Sequence, residues 1–145
     1  MISWDSKKIA DLIELSKKSE RKRAAYLSHP ADYAGPRIML NCIQPGSYVR
    51  PHKHDSATGE TFIIGQGKIC AVIFDDLGNF EDVAVISPDR IYLFEMVPRK
   101  YHTAFALERN SMVYEVSQGP YNPNTYKTQA DWAPPEEDAK AAQEY

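Results

Sequence analysis

PHKHDSATGE, residues 51–60, places two of the chain's four histidines one residue apart, behind a proline and ahead of a glutamate. In a β-strand, residues i and i+2 point to the same face, so His52 and His54 emerge side by side. A helix would turn the second ring about 200° from the first, since each residue advances about 100°. The run Asp55-Ser56-Ala57-Thr58-Gly59 reads as a loop, after which Glu60 opens a new apolar segment. Two imidazoles on one strand face and a carboxylate at the next strand form part of a metal site that needs further ligands.

From residue 37 to about 118 the surroundings follow one pattern of short segments rich in Val, Ile, Phe and Tyr. RIMLNCI, SYVRPHKH, ETFIIG, KICAVIFD, FEDVAVI, RIYLFEMV, YHTAFALE and SMVYEVS are separated by turn signals such as PG, GQG, DDLGN, SPD and ERN. Eight short strands with regular turns predict an all-β jelly roll. Ahead of them, Ile9, Leu12, Ile13 and Ser16 form a helical stripe behind the capping candidates Asp5 and Ser6, so a short amphipathic helix is expected over about 5–24. Its basic end, KKSERKR, complements the helix dipole as a solvated terminus; a phosphate-binding patch is the competing use. HPADYAGP (29–36) reads as a turn-rich connector. After Gly119-Pro120 the chain becomes polar and Pro-rich, an irregular tail over about 119–145. It is expected to lie along the outside, anchored by Tyr121, Tyr126 and Trp132, with its last residues loose. The 145 residues are read as a single domain.

The net charge of −3 argues against nucleic acid as a partner, which requires a basic surface. No apolar run approaches the roughly 18 residues of a membrane span. MISWDSKKIADLIELSKK lacks a continuous apolar core and a small-residue cleavage site, so it is read as no secretory signal, and a cytoplasmic location is expected. Cys42 and Cys70 sit in apolar stretches and read as reduced, buried thiols. No catalytic triad, phosphate loop or dinucleotide fingerprint is visible.

The wider spacing runs Gly46, five residues, His52-Lys53-His54, five residues, Glu60, six residues, Gly67. This resembles the first motif of the cupin superfamily, departing from it only by a longer loop before the glutamate. The second cupin motif would fall on Val97-Pro98-Arg99-Lys100-Tyr101-His102. There the proline has moved one position, the usual glycine is Arg99, and the asparagine four residues after the histidine is Ala106. The N-terminal helix with KKSERKRA, then PGSYVRPHKH, FDDLGN, YHTAFALE, YEVSQGPYNP and DWAPPEE, resembles the small WbuC-type cupin metalloproteins over nearly the whole chain. The genes of that group usually lie among those for bacterial surface-polysaccharide synthesis. The resemblance implies a cupin jelly-roll β-barrel.

On this reading His52, His54, Glu60 and His102 ligate one divalent transition metal. Nitrogen-rich, sulfur-free ligation suits Fe, Mn, Ni, Co or Zn, and leaves positions open for water or substrate. His29, alone in a turn, reads as an ordinary surface or core residue. The period of two that aligns the histidines also places Arg50 and Tyr48 inward, where Arg50 can hold a phosphate or carboxylate; pairing with an acid such as Asp55 is its alternative. Phe62 and Ile64 share the face of Glu60 and read as core. Tyr101 is a candidate for the cavity mouth, with packing as the alternative. Glu115, charged within an apolar strand, either faces solvent or projects inward as a supporting acceptor or general base, and the inward reading is taken. The expected function is a metal-dependent enzyme acting on a sugar or nucleotide-sugar by isomerisation or epimerisation, inferred by analogy. A non-catalytic sugar-binding or sensing module and an Fe(II) oxygenase are the alternatives. A small-molecule carbohydrate ligand and a homodimer, with the helix and tail near the interface, complete the expectations.

Overall fold

A computed structural model describes residues 3–30, 32–55 and 59–145; Ala31 of the connector and Ser56–Thr58 of the loop-forming run lie outside it. The first helix, α1, spans Ser6–Lys18, and the Asp5 side chain caps it by accepting from the Lys8 backbone N–H. It ends earlier than its basic tail suggested. The apolar stripe stops at Ser16, and Lys22 takes a left-handed φ of 53° that breaks the helical path. Residues Arg23–Leu27 form a strand instead, β1.

The remaining strands are β2 (Arg37–Ile43), β3 (His52–Lys53), β4 (Thr61–Gln66), β5 (Ile69–Phe74), β6 (Phe80–Ile86), β7 (Leu93–Glu95), β8 (Tyr101–Ala106), β9 (Ser111–Ser117) and β10 (Thr128–Gln129). Each of the eight expected segments contributes a strand, and β1 and β10 are additions. Two five-stranded antiparallel sheets result, ordered β1-β2-β9-β4-β7 and β10-β3-β8-β5-β6. This is a jelly-roll sandwich whose sheets do not close into a barrel. Between them lies an apolar core of Ile64, Ile69, Ala71, Ile73, Ile86, Met96 and Val113, with Phe62 and Phe94 packed against it. Phe62 and Ile64 are therefore core.

The outer faces are covered unequally. Helix α1 lays Leu12 on Leu40, Cys42 and Met112, with Trp4, Ile9 and Ile13 around them. On the other sheet, Trp132 of the tail covers Cys70, Val72 and Phe74. Both cysteines are free and buried. The tail is far from loose. It adds β10 to β3, buries Ala130 and Ala133, and closes with a second helix, α2 (Ala139–Glu144). The basic run beyond α1 serves this docking: Arg21 and Arg23 pair with Glu136 at 2.9 and 2.6 Å. No described helix is long and apolar enough to cross a membrane.

Candidate metal centre

Each of the four expected ligands is carried to one point by a different local device. β3 and β8 are neighbours, and His52 pairs directly with His102, their ring centroids 4.7 Å apart. His54 follows β3 immediately, its ring 5.1 Å from His52 and 5.5 Å from His102. Glu60 arrives from the opposite sheet. Its carbonyl accepts from Met96 N, and Gly59 before it has no room for a side chain, since a Cβ there would lie 1.7 Å from the Met96 carbonyl oxygen. Only glycine lets the chain approach Met96 closely enough to seat the carboxylate.

The hydrogen bonds behind the rings fix their chemistry. His52 Nδ1 lies 2.9 Å from the Arg50 carbonyl, His54 Nδ1 2.7 Å from that of Tyr126, and His102 Nδ1 2.9 Å from that of Lys100. A carbonyl only accepts, so each Nδ1 carries the proton, and in each neutral ring the Nε2 lone pair is left pointing forward. Glu60 reaches two of these nitrogens, His54 Nε2 and His102 Nε2, each at 3.1 Å. The His54 contact is close but not aligned as a hydrogen bond, so that buried nitrogen has no partner. One candidate ligand atom from each of the four residues lies within 4.8 Å of the others. Neighbouring ligands about 2.1 Å from one ion would sit about 3 Å apart, as Glu60 does from two of the rings. Three converging lone pairs and a carboxylate suit a cation and leave little else to satisfy them.

Without a cation the electrostatics separate His52 from His54. Burial, then the neighbouring His102 and Lys127, push His52 down to about 3, so it stays neutral. Burial opposes protonation of His54 too, but nearby Glu60 outweighs it and the pKa is raised. Burial would raise Glu60, yet His102 and His54 together hold it well below the usual carboxylate range.

The other expected residues divide. Glu115 faces inward, sharing the face of Val113, and its carboxylate accepts from Asn41 Nδ2 at 2.9 Å. Burial first, and then Glu60, push it up to about 8 against the opposing pull of Arg37 and Asn41. Arg50 and Tyr48 are not on an alternating strand, because residues 44–51 are not β-structure, so the period of two does not govern them. The Arg50 guanidinium donates to the Ala130 carbonyl at 2.7 and 3.0 Å, and the Tyr48 hydroxyl donates to that of Pro134 at 2.9 Å. Both hold the tail in place of a ligand, and Asp55 lies near Arg99 rather than Arg50. Tyr101 precedes His102 on β8 and so faces the opposite way, packing on Trp132 and under the Lys53 ammonium.

A cavity of about 300 Å³ opens beside the cluster, lined by His54, Asp55, Glu60, Ser117–Pro120, Thr125 and Tyr126. Sequence reasoning missed its tail wall. The Tyr126 ring lies 4.6 Å from His54, and its hydroxyl, hydrogen-bonded to Ser117, reaches Glu60 Oε1 at 3.4 Å. The Tyr126 phenol is pushed up, by burial and then by the Glu60 charge, and keeps its proton. Nothing periodic marks Tyr126 in the sequence; its docking depends on the turn at Gly119-Pro120.

No curated protein matches the chain in sequence. Residues 4–86 match the family model described as a domain of unknown function, DUF6016. Among solved structures, a recombinant oxalate oxidase in complex with glycolate is similar at 18% identity and TM-score 0.55, over 72% of this chain and 56% of that one. The capsular polysaccharide assembling protein CapF from Staphylococcus aureus is similar at 15% and 0.55, over 73% of this chain and 31% of that one. KdgF from Halomonas sp. is similar at 17% and 0.53, over 68% and 82%. The chain thus spans little more than half of the oxalate oxidase and under a third of CapF. At these identities the likeness is one of fold, that of the cupin jelly roll.

Proposed function

The chain belongs to the DUF6016 family, and from that premise and the site above we propose that it is a metal-dependent enzyme acting on a small carbohydrate. The observation that carries the reading is the commitment of all three Nδ1 atoms to backbone carbonyls, which turns three Nε2 lone pairs toward Glu60 beside a cavity. His52, His54, Glu60 and His102 would hold one divalent ion, of Fe, Mn, Ni, Co or Zn. Bound there, the ion would supply Lewis-acid polarisation of a substrate carbonyl or hydroxyl. The chain's own groups handle the proton. Glu115, pushed up to about 8, holds one at its carboxyl next to Glu60 and exchanges it near neutral pH. Tyr126 stays protonated and steadies Glu60 from the cavity side. That division suits isomerisation, in which a proton leaves one carbon and returns to its neighbour, or epimerisation, in which it returns to the opposite face of the same carbon.

The cavity volume sits at the lower end of the range for small-molecule sites, which favours a single sugar unit over a whole nucleotide-sugar. A WbuC-type role in surface-polysaccharide synthesis, in the cytoplasm, remains part of this proposal. CapF shares the fold and names capsular polysaccharide assembly, which is compatible with that role. A non-catalytic binding or sensing module is the second reading, favoured by the position of Glu115 behind the cavity wall. An Fe(II) oxygenase is the third, separated by dioxygen uptake. We also propose a homodimer, with a shifted interface. Helix α1 is spent on its own sheet, whereas Ile63, Tyr92, Leu93 and Val97 stand exposed around β4 and β7. Light scattering is expected to give a dimer, and a monomer at micromolar concentration ends that proposal.

The deciding experiment is metal analysis of the purified protein, joined to turnover assays on sugars and sugar phosphates. About one ion per chain, with turnover lost in chelator, is expected. A protein that takes up none of the five metals on reconstitution overturns the reading.

A further inference from the structure

Arg37 opens β2 and pairs across the ladder with Ser117. Paired residues share a face, and Ser117 lines the cavity, so Arg37 stands on that same face beside a lining residue. Its guanidinium carbon lies 4.0 Å from the centre of the Tyr121 ring and 5.7 Å from that of Tyr126. Stacking fixes the plane of the guanidinium but uses none of its donors. Its charge is felt by Glu115, but among the described residues it forms no ion pair and no acceptor takes its hydrogen bonds, and its Nε is buried without a partner. A guanidinium does not give up its charge, and a buried donor without an acceptor costs free energy, so the arrangement is incomplete as it stands.

We propose that Arg37, held flat by Tyr121 and Tyr126, is the subsite for an oxyanion of the substrate, a carboxylate or a phosphate. The planar fork matches either group through two parallel hydrogen bonds, and the Ser117 hydroxyl stands across the ladder as a further polar contact. Tyr126 links this subsite to the metal cluster. The one ring lies beside the guanidinium on one side and beside His54 on the other, with its hydroxyl on Glu60. A ligand a few atoms long, laid across Tyr126, meets Arg37 at its anionic end and the histidine cluster with its reacting oxygens. The substrate class narrows from sugars in general to acidic ones, sugar acids or sugar phosphates. This narrowing rests on the proposed metal-dependent reading, but the anion subsite itself does not need the metal.

The test follows the Nε–Hε resonance of Arg37 by NMR in uniformly ¹⁵N-labelled protein, assigned by its absence in Arg37→Lys and Arg37→Gln. Sodium acetate, sodium phosphate and sodium chloride are titrated at matched ionic strength, into metal-loaded protein and into protein stripped by chelator and dialysed. We expect a shift that saturates at roughly millimolar acetate or phosphate and not with chloride, in both preparations. Saturation by acetate alone assigns a carboxylate, and by phosphate alone a phosphate. An identical, non-saturating drift with all three salts overturns the subsite. Metal content measured on the same samples keeps the two readings apart, because a chain that saturates with acetate yet holds no metal refutes only the metal reading.

Discussion

The cavity has two walls of different origin. One is built by His54 and Glu60, with His52 and His102 completing their cluster on or directly beside strands, and the other by Ser117–Pro120, Thr125 and Tyr126, where β9 runs into the tail. The first wall holds charge and lone pairs and is backed by the sheet ladder. The second holds hydroxyls and rings and stays in place because distant parts of the tail are pinned, by Trp132 on one sheet and by Glu136 on Arg21 and Arg23. The two walls meet at Tyr126, whose carbonyl accepts from His54 Nδ1 and whose hydroxyl donates to Glu60. The ligand wall therefore sets the chemistry, while the tail wall sets its aim.

The largest effect should come from breaking the ligand wall. In His54→Ala, metal affinity is expected to collapse, since one of three nitrogen ligands is gone. Thermal stability in metal should fall by the metal's own contribution, about 4 kcal/mol if the ion is present at 1,000 times its Kd. In chelator the variant and the wild type should melt close together, because the core of Ile64, Ile73 and Val113 is untouched. A large melting gap persisting in chelator would show that His54 is structural. Glu115→Gln sharpens the same wall: metal retention with turnover abolished is expected, since an amide cannot take up the proton. Loss of metal in that variant would make Glu115 a support for Glu60 only.

The tail wall should fail differently. Trp132→Ala removes the cover over Phe74 and Val72 and is expected to cost roughly 2–4 kcal/mol, even in chelator. Because the tail carries the carbonyl that orients His54, metal affinity should drop too, by about 10- to 100-fold. Calorimetry of metal binding checks this, and unchanged affinity in a folded variant would mean that the two walls are independent.

In the metal-free protein two buried groups, His52 and Glu115, also pull stability in opposite directions with pH. Folding holds His52 near 3 against 6.5 unfolded, so its contribution is present above 6.5 and lost as pH falls toward 3. Glu115 is raised from 4.5 to about 8, so its contribution is present below 4.5 and lost as pH rises toward 8. The two cancel between 4.5 and 6.5, where the melting temperature in chelator should be flattest, with a fall on each side. The alkaline fall should become shallower in Glu115→Gln, leaving the part due to His54, whose raised pKa gives a contribution present below 6.5 and lost as pH rises. A melting temperature that does not change from pH 6.5 to 8.5 in the wild type would remove Glu115 from this account.

The contrast also explains what could be read from sequence. His52, His54 and Glu60 were legible because strand periodicity and a short loop bind them together within nine positions, and His102 because it lies near the start of another regular strand. Of the two uses weighed for Tyr101, packing holds, since neighbours on a strand alternate and His102 takes the inner face. Arg50 and Tyr48 were misplaced because strand periodicity was extended over residues that are not strand. Arg37 and Tyr126 carried no local signal. An arginine opening RIMLNCI and a tyrosine in a Pro-rich tail acquire meaning only when the tail folds back, and that docking depends on contacts 80 and 113 positions apart, Arg50 with Ala130 and Arg23 with Glu136.

The smallest predicted effect lies at the turn that delivers His102 to the ligand wall. Arg99 stands where the cupin motif has glycine, and it adopts φ 61°, in the left-handed region. The turn is thus kept without the residue that favours it, and the Cβ of Arg99 bears a cost of about 1–2 kcal/mol. The side chain recovers little, being mostly exposed and 3.7 Å from an equally exposed Asp55. Arg99→Gly relieves the backbone but loosens the unfolded chain, which takes back about 0.5–1 kcal/mol. The net expectation is a gain of about 0.5–1 kcal/mol, read as a melting temperature higher by roughly 1–4 °C, with metal affinity unchanged because the Lys100 carbonyl still holds His102 Nδ1. A lower melting temperature would show that the Arg99 side chain contributes more across the mouth of the site than its exposure allows.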